Sequence, residues 1–231
     1  DKILVKDYVK KNFDYINVAK TLFKTNKPLD LFNYNFPKNF VLKCNEGSSK
    51  TMIVKNNNYN IYNLIINSLV FLNLDKQFLL HLFSKEAHYK LIDKSIFIEE
   101  YLGDNIKEFK IHLFNGNIGF ISNIHTWGYT IWTGKNPKFD DQLCYIKDST
   151  TNFSKKTINI NKPKHFNLMK KFCYDFYEKT KINYVRVDVS EINDKLYFGE
   201  FTFTPHGCME PFSFYLDKLI YNKYIKSTNN T

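Results

Sequence analysis

The sequence has few of the residues that define several protein classes, and each shortage narrows the range of functions. Its 4 cysteines lie far apart and form no CxxC pair, so no disulfide framework is predicted and we expect reduced thiols in an intracellular, cytoplasmic protein. The 6 histidines show no HExxH or similar spacing, which argues against a zinc site. No apolar run is long enough to cross a bilayer, so we expect no membrane span.

The composition is that of a globular protein with a basic surface. The 231 residues are 43% hydrophobic and 17% aromatic, enough for one large domain or two small lobes that share a cleft. A net charge of +10 favours anionic partners such as a nucleotide, a nucleic acid or an anionic polymer. The abundance of Lys, Asn and Ile is equally typical of AT-rich coding, and no nucleic-acid-binding motif is visible, so we expect no nucleic acid partner. The chain opens at Asp1 rather than Met, so we expect a trimmed chain without a signal peptide.

Apolar periodicity predicts a mixture of helices and strands. Helical spacing occurs in residues 1–24, 59–73, 75–92, 165–180 and 212–224. Strand-like runs occur in residues 40–44, 51–55, 96–103, 109–114 and 118–122. Asn115–Gly116 separates the last two runs, and Asn-Gly between alternating apolar segments strongly predicts a hairpin. Residues 123–164 have no readable pattern.

The first hairpin, residues 40–55, has a small polar tip. The tip contains Gly47, Ser48 and Ser49, and Lys43 lies on the strand that precedes it. Backbone N–H groups and hydroxyls in such a tip are suited to cover phosphates. An ordinary turn uses the same residue types, so both interpretations stay open at this point.

A second hairpin gathers polar residues in an apolar setting. Val185–Ser190 alternates at period two, and Leu196–Phe203 does so with one change of phase. Buried carboxylates need a cation or hydrogen-bond donors, so Asp188 and Glu200 are candidates to share a divalent metal, with Arg186 beside them to meet an anion. Oxygen ligands favour Mg²⁺ or Mn²⁺. The alternative is a structural ion pair between Arg186 and one of the two carboxylates.

The order of these parts resembles the ATP-grasp superfamily, and within it the TupA-like branch named for teichuronopeptide biosynthesis. The segments that carry the resemblance are Asp1-Lys2, Phe40–Asn45 with Gly47-Ser48, Glu99–Leu102, Arg186-x-Asp188 and Gly199–Pro205. The resemblance covers essentially the whole chain. It implies an α+β protein with the ATP-grasp fold, in which two α+β lobes with mainly antiparallel sheets clasp ATP. We expect a single domain over residues 1–231, with an N-terminal and phosphate-lid lobe of about 1–98 and a metal-binding lobe of about 99–231. We also expect that residues upstream of Asp1 are missing.

The resemblance assigns nucleotide contacts to the first half of the chain. Lys43 corresponds to a lysine that contacts the α- and β-phosphates, and the tip Gly47-Ser48-Ser49 corresponds to a lid that excludes water from a reactive intermediate. Glu99–Leu102 corresponds to the hinge. In that hinge a glutamate usually receives the adenine amino group, and backbone groups of the next residues read the edge of the base. The resemblance therefore implies nucleotide contacts at Glu99, Glu100, Tyr101 and Leu102.

The resemblance assigns metal and transition-state contacts to the second hairpin. Asp188 and Glu200 correspond to the metal carboxylates, and Arg186 to the arginine that steadies the transferred phosphoryl group and the tetrahedral intermediate. Many ATP-grasp ligases carry Asn two residues after the metal glutamate. Here, as in the TupA-like branch, that position is Thr202, a weaker metal ligand.

The function implied is a carboxylate–amine ligase that uses ATP and Mg²⁺, with Mn²⁺ as an alternative cation. A carboxylate substrate attacks the γ-phosphate, and an amine captures the acylphosphate to give an amide. The branch name implies substrates linked to a surface polysaccharide or glycopeptide. Two alternatives remain open: an ATP-grasp kinase that phosphorylates a sugar or polyol, and a non-catalytic module that binds a nucleotide or an anionic polymer.

Overall fold

The computed structural model describes residues 1–47, 50–73, 91–123, 128–131, 143–147, 153–155 and 163–205. The chain divides into two compact units, Asp1–Asp104 and Asn105–Thr231. Ser48, Ser49, most of the helix predicted for 75–92 and the C-terminal helix predicted for 212–224 lie outside the described residues. No helix in the described part of the chain is long and apolar enough to cross a membrane.

The first unit contains a four-stranded antiparallel sheet with helices beside it. Its elements are α1 (Lys2–Asn12), β1 (Asn17–Val18), β2 (Thr21–Thr25), a 3-10 helix (Pro28–Asn33), β3 (Phe40–Cys44), β4 (Thr51–Val54), α2 (Ile61–Asn73) and β5 (Ile96–Glu100). The strand order in the sheet is β2-β5-β3-β4. The predicted hairpin, the strand before the hinge and the helix at 59–73 are therefore confirmed. β5 continues through the lobe boundary expected near residue 98, so the hinge segment Glu99–Leu102 belongs to the first unit.

The prediction of one helix over residues 1–24 is wrong beyond residue 12. The Asp1 side chain caps α1 by accepting hydrogen bonds from the backbone N–H groups of Ile3 and Leu4. The helix closes where the Phe13 N–H donates to the Val9 carbonyl at 2.8 Å. β1 and β2 follow. Apolar spacing alone does not separate a continuing helix from two short strands that contain β-branched residues.

The core of the first unit lies between one face of its sheet and α2. The cluster comprises Leu31, Phe40, Leu42, Val54, Leu64, Ile65, Ile96 and Ile98. Successive strand residues point to opposite faces, so Val41 and Lys43 on β3 lie on the face turned away from this cluster. Lys43 is the cross-strand partner of Phe97, and Val41 is the partner of Glu99. Lys43 and Glu99 are therefore diagonal neighbours on that second face.

The second unit is built on a larger antiparallel sheet. Its elements are β6 (Lys107–Phe114), β7 (Asn117–Asn123), β8 (Gly128–Ile131), β9 (Leu143–Lys147), β10 (Phe153–Lys155), α3 (Phe166–Thr180), β11 (Tyr184–Ile192) and β12 (Lys195–Thr202). Within this unit the order is β12-β11-β6-β7-β8-β9-β10. The predicted helix and both predicted hairpins are confirmed, whereas β8, β9 and β10 fall in the stretch where no pattern was readable.

Two tight turns fix the hairpins of this sheet. Asn115 and Gly116 have φ values of 48° and 76°, and Asn193 and Asp194 have φ values of 47° and 60°. Consecutive left-handed residues give the turn whose twist matches that of two paired strands. The Asn-Gly signal therefore predicted the correct turn for β6 and β7.

Helix α3 covers one face of the second sheet. It buries Phe166, Met169, Phe172, Cys173 and Phe176. The ring of Phe201 on β12 lies 4.2 Å from that of Phe176 and 6.0 Å from that of Phe172, measured between centroids. Phe201 is the cross-strand partner of Val187, so the face that carries the valines of β11 packs under α3. The alternate residues of β11, Arg186 and Asp188, lie on the other face.

Candidate functional site

A register shift in the second sheet places two carboxylates side by side. Asp188 pairs with Glu200, but Val189 pairs with Phe198, so Gly199 is an extra residue in β12. A β-carbon on Gly199 would lie 3.1 Å from the Asp188 carbonyl oxygen. The bulge accounts for the change of phase in the sequence, because it returns Glu200 to the face that carries Asp188.

Arg186 links every predicted metal ligand of this face. Its Nε donates to Asp188 Oδ1 at 2.7 Å, and its Nη2 donates to Asp188 Oδ2 at 2.8 Å. The same Nη2 lies 3.1 Å from Glu200 Oε1 and 3.0 Å from Thr202 Oγ1. Arg186 is the only arginine among the 33 basic Lys and Arg residues of the chain. A planar fork with several fixed donors suits this position, since a lysine ammonium does not reproduce that geometry.

Burial and charge oppose each other at this cluster. Burial raises the pKa of the Asp188 carboxyl, although the Arg186 guanidinium and the Lys110 ammonium act in the opposite direction. Lys110 Nζ lies 3.6 Å from Asp188 Oδ2. The Glu200 side chain is 40% exposed, so it is the more accessible of the two carboxylates. The cluster thus combines a half-buried, cation-paired carboxylate with a more accessible one.

Lys110 and His112 on β6 belong to the same polar face but were not predicted. They are the cross-strand partners of Asp188 and Arg186. His112 is buried, hydrogen-bonded through Nδ1 to the Tyr184 hydroxyl at 3.0 Å and stacked on Phe120 with ring centroids 4.0 Å apart. The sequence does indicate that Lys110 and His112 share a polar face, because both alternate with apolar residues of β6 as Arg186 and Asp188 do on β11.

A second cluster, in the first unit, is formed by Lys6, Lys43 and Glu99. Lys43 Nζ lies 2.9 Å from Glu99 Oε1, and Lys6 Nζ contacts Glu99 Oε2. Burial acts to raise the pKa of Glu99, but the charges of Lys43 and Lys6 outweigh it and hold the pKa below its ordinary value. Lys6 was missed by the sequence reasoning. It lies between Ile3 and Val9 on the buried stripe of α1, and a lysine at an apolar position was the signal.

Other residues of the predicted hinge segment have partners within the first unit. The Glu100 N–H donates to the Lys20 carbonyl at 3.0 Å, and Glu100 Oε1 accepts from the Lys20 N–H at 2.7 Å. The Tyr101 hydroxyl donates to Asp104, which also pairs with Lys55. Glu99, Glu100 and Tyr101 thus each have a partner that fixes them, and Leu102 follows directly.

The base of the hairpin tip is tied to the start of α1. Asn45 Nδ2 donates to Asp1 Oδ2 at 2.7 Å and to the Asp93 carbonyl at 3.0 Å. Gly47 has a φ of 74°, and its carbonyl accepts from Lys2 Nζ. Of the three predicted tip residues, Gly47 lies in the described part of the chain and contacts Lys2. Ser48 and Ser49 lie outside the described residues.

Comparison with known proteins identifies the family. The TupA-like ATP-grasp family model matches residues 1–225. The chain belongs to the TupA-like ATP-grasp family. A comparison with curated proteins gave no significant match.

Solved structures agree on the ATP-grasp fold. The D-alanine–D-alanine ligase from Helicobacter pylori superposes with a TM-score of 0.60 at 16% identity, over 100% of this chain and 59% of that chain. An L-amino acid ligase from Bacillus licheniformis gives a TM-score of 0.51 at 13% identity, over 88% of this chain and 42% of that chain. The present chain therefore spans less than two thirds of either ligase. The α+β fold class and the ATP-grasp fold are confirmed.

The oxygen groups of the TupA-like ATP-grasp chain fit a magnesium ion that arrives with phosphates. Asp188, Glu200 and Thr202 all direct oxygens at one point, now contacted by the cationic Nη2 of Arg186. Hard oxygen ligands suit Mg²⁺, which typically takes one or two carboxylates and completes its shell with water and substrate phosphates. No group of three or more His, Cys, Asp and Glu side chains that could hold a metal occurs in the described residues. Two carboxylates and a hydroxyl therefore suit Mg²⁺–nucleotide better than a metal bound by protein alone.

Proposed function

We propose that this TupA-like ATP-grasp protein is an ATP-dependent ligase that joins a carboxylate to an amine. The observation that carries the proposal is the cluster of Arg186, Asp188, Glu200 and Thr202, in which one guanidinium and three oxygen groups meet on the polar face of a sheet. Cationic donors beside oxygen groups that could bind a metal ion suit a reaction in which negative charge moves from ATP to a carboxylate.

In this proposal Asp188, Glu200 and Thr202 hold Mg²⁺ and Arg186 binds the transferred phosphoryl group. The ion supplies charge neutralisation for phosphate oxygens. Arg186 has donors on both Nε and Nη2, so it is able to keep one contact to Asp188 while another turns to an anion. The contact with Asp188 fixes the orientation of the Arg186 guanidinium. Less conformational entropy is then lost when the guanidinium binds the transferred group.

The first-unit cluster supplies the nucleotide contacts in this proposal. Lys43, whose side chain is 28% exposed, meets phosphates, and the tip at Gly47 to Ser49 covers them. Backbone groups of Glu100, Tyr101 and Leu102 meet the base. Both carboxylate oxygens of Glu99 already accept from lysines, so an adenine amino group would have to use a remaining lone pair of that carboxylate.

We further propose that one of the two substrates is linked to a surface polysaccharide or glycopeptide. Membership of the TupA-like branch supports this class. A carboxylate oxygen of the acid then attacks the γ-phosphorus of ATP, and ADP leaves. The amine nitrogen attacks the carbonyl carbon of the acylphosphate, phosphate leaves, and the proton lost from nitrogen passes to phosphate or solvent to give the amide. Each step conserves atoms and charge without any redox partner.

The first experiment measures thermal stabilisation by ATP with and without Mg²⁺, with GTP as a comparison. A ligand that binds only the folded state raises the melting temperature by mass action. We expect a shift that needs both ATP and Mg²⁺ and that is lost in Asp188→Asn, a nearly isosteric change. Asp194→Asn is the matched control, because Asp194 is an exposed carboxylate in the turn of the same hairpin.

Phosphate release and product analysis then test the reaction. A ligase releases phosphate and forms an amide only when acid and amine are both present, whereas a kinase forms a phosphate ester with a single hydroxyl substrate. Equal stabilisation by ATP in Asp188→Asn and in the parent chain would remove the metal assignment. No stabilisation at saturating Mg²⁺–ATP would overturn the proposed function and favour the non-catalytic alternative.

A further inference from the structure

Lys6 is the one member of the first-unit cluster to which the proposed function assigns no contact with the nucleotide. Lys6 extends from α1, and only 7% of its side chain is exposed. Its Nζ contacts Glu99 Oε2 and lies 4.9 Å from the centroid of the Phe97 ring. Burying an ammonium is unfavourable unless a partner compensates, so a lysine here needs an explanation beyond the filling of space.

The two lysines that share Glu99 differ in exposure. Lys6 is 7% exposed, whereas Lys43 is 28% exposed, and each binds a different oxygen of the same carboxylate. Two positive charges and one negative charge leave the group with one net positive charge. Lys6 is enclosed by the protein, so Lys43 is the end of the group at which this excess charge meets solvent or a ligand.

Removing Lys6 would change the state of Lys43. Glu99 would then have Lys43 as its only partner within this cluster, the net charge would fall to zero, and the freed Oε2 would be available to bind Lys43 as well. Lys43 keeps its charge in that case, but the carboxylate offsets it, so the pair attracts an anion less strongly. The effect is large because Coulomb interactions at partly buried sites are weakly screened.

We infer that Lys6 is a positioning residue for nucleotide binding. It holds Oε2 of Glu99 and offsets the carboxylate charge, so that the positive charge of Lys43 remains effective toward the phosphates of ATP. This inference rests on the proposed function. Its ligand class is a nucleoside di- or triphosphate, and its effect is directed at the phosphates rather than at the base.

The experiment compares calorimetric affinities for ATP and for adenosine, which lacks phosphates. In Lys6→Met the apolar stem remains and the charge is lost. We expect the affinity for ATP to fall about tenfold, with the affinity for adenosine unchanged. Lys11→Met is the matched control, since Lys11 is an exposed lysine on the same helix, and it should change neither value.

Two further variants separate positioning from simple support of the fold. Lys6→Arg keeps the charge and should keep the ATP affinity within a few fold. Lys6→Met combined with Glu99→Gln removes both charges of the buried pair and leaves Lys43 positive. We expect this double variant to recover the parent ratio of ATP to adenosine affinity, whereas loss of structure alone predicts no recovery.

Each outcome decides between the inference and the function on which it rests. Absence of ATP binding by the unchanged chain would overturn the proposed function and this inference together. ATP binding by the unchanged chain with the same affinity in Lys6→Met, or an equal loss for adenosine, would overturn the inference alone. If Lys6→Met does not fold, the double variant decides, because it leaves no buried carboxylate that has lost a partner. A low ratio in that variant would overturn the inference.

Discussion

Asp188 and Glu200 are direct cross-strand partners, and the pairing shifts by one residue immediately after them. Gly199 is the residue of β12 that the shift leaves without a cross-strand partner on β11. Without this extra residue, side chains would alternate between the two faces along β12 without interruption. Glu200 would then lie on the same face as Phe198, which α3 covers. The pairing of two carboxylates on the polar face therefore depends on a bulge that only a small residue accommodates so close to the Asp188 backbone.

This dependence makes Gly199→Ala a sensitive test of the metal assignment. The new β-carbon would lie 3.1 Å from the Asp188 carbonyl oxygen, so the Asp188 backbone has to move by a few tenths of an ångström. We expect Mg²⁺-dependent stabilisation by ATP to weaken while the melting temperature without ligand changes little. Parallel melting curves with and without Mg²⁺–ATP measure both quantities. An unaltered ligand shift would show that the bulge does not set the alignment of the two carboxylates.

Arg186→Lys should impair turnover more than binding. The substitution keeps one positive charge but loses the fork that reaches Asp188 through two nitrogens and Glu200 and Thr202 through one. Loss of a preorganised donor to transition-state charge typically lowers the rate about 10² to 10³-fold, and we expect that loss in phosphate release with a smaller change in ATP affinity. Lys195→Arg, at an exposed position of the same hairpin, is the reverse control. Full turnover in Arg186→Lys would mean that Arg186 is only a structural partner of the carboxylates.

Period-two patterns made the second hairpin and its cluster predictable. Arg186 and Asp188 interrupt a valine run, and the phase change around Gly199 in the sequence coincides with the bulge in β12. The family resemblance then named the fold. Such a pattern is predictive because successive side chains of a strand point to opposite faces of the sheet. The order of residues along the strand therefore indicates which of them share a face.

Contacts between distant segments were not predictable in the same way. Lys6 and Glu99 are 93 residues apart, and no local periodicity relates one to the other. The strands β8, β9 and β10 have the sequences GYTI, LCYIK and FSK, in which apolar and polar residues do not alternate clearly. The prediction that the first helix continues beyond residue 12 was wrong for a related reason. Pairing with distant strands, rather than local apolar spacing, decides the structure there.

Glu99 should make the first unit sensitive to acid. Its pKa is held below the ordinary value of 4.5, as the lysine charges outweigh the effect of burial, so the folded state binds this proton less readily than the unfolded state. The stabilisation is therefore complete above pH 4.5 and is lost as the pH falls through the folded pKa. Removing one partner of a buried ion pair costs about 3–5 kcal/mol, so we expect Glu99→Gln to be destabilised at neutral pH.

The measurement is the difference in unfolding free energy between the parent chain and Glu99→Gln as a function of pH. We expect this difference to shrink below pH 4.5, because protonation removes the charge that the variant lacks at every pH. Glu178→Gln, on the exposed surface of α3, is the matched control and should give a small and nearly constant difference. A constant large difference for Glu99→Gln across this range would contradict a charged Glu99 between two lysines.

The contact between the β6–β7 turn and α3 gives a test that is independent of ATP. A β-carbon on Gly116 would lie 2.4 Å from the Tyr177 ring, and Gly116 has a φ of 76°, so Gly116→Ala adds a clash to a strained backbone. Gly103→Ala separates the two effects, since Gly103 has a φ of 109° with nothing within 4 Å of the added carbon. We expect Gly116→Ala to lower stability by about 1–3 kcal/mol and by more than Gly103→Ala, in urea unfolding. Tyr177→Ala should cost less in the Gly116→Ala background than in the parent chain, because it relieves the clash. Additive losses would mean that the ring moves aside freely and that this turn does not fix the position of α3.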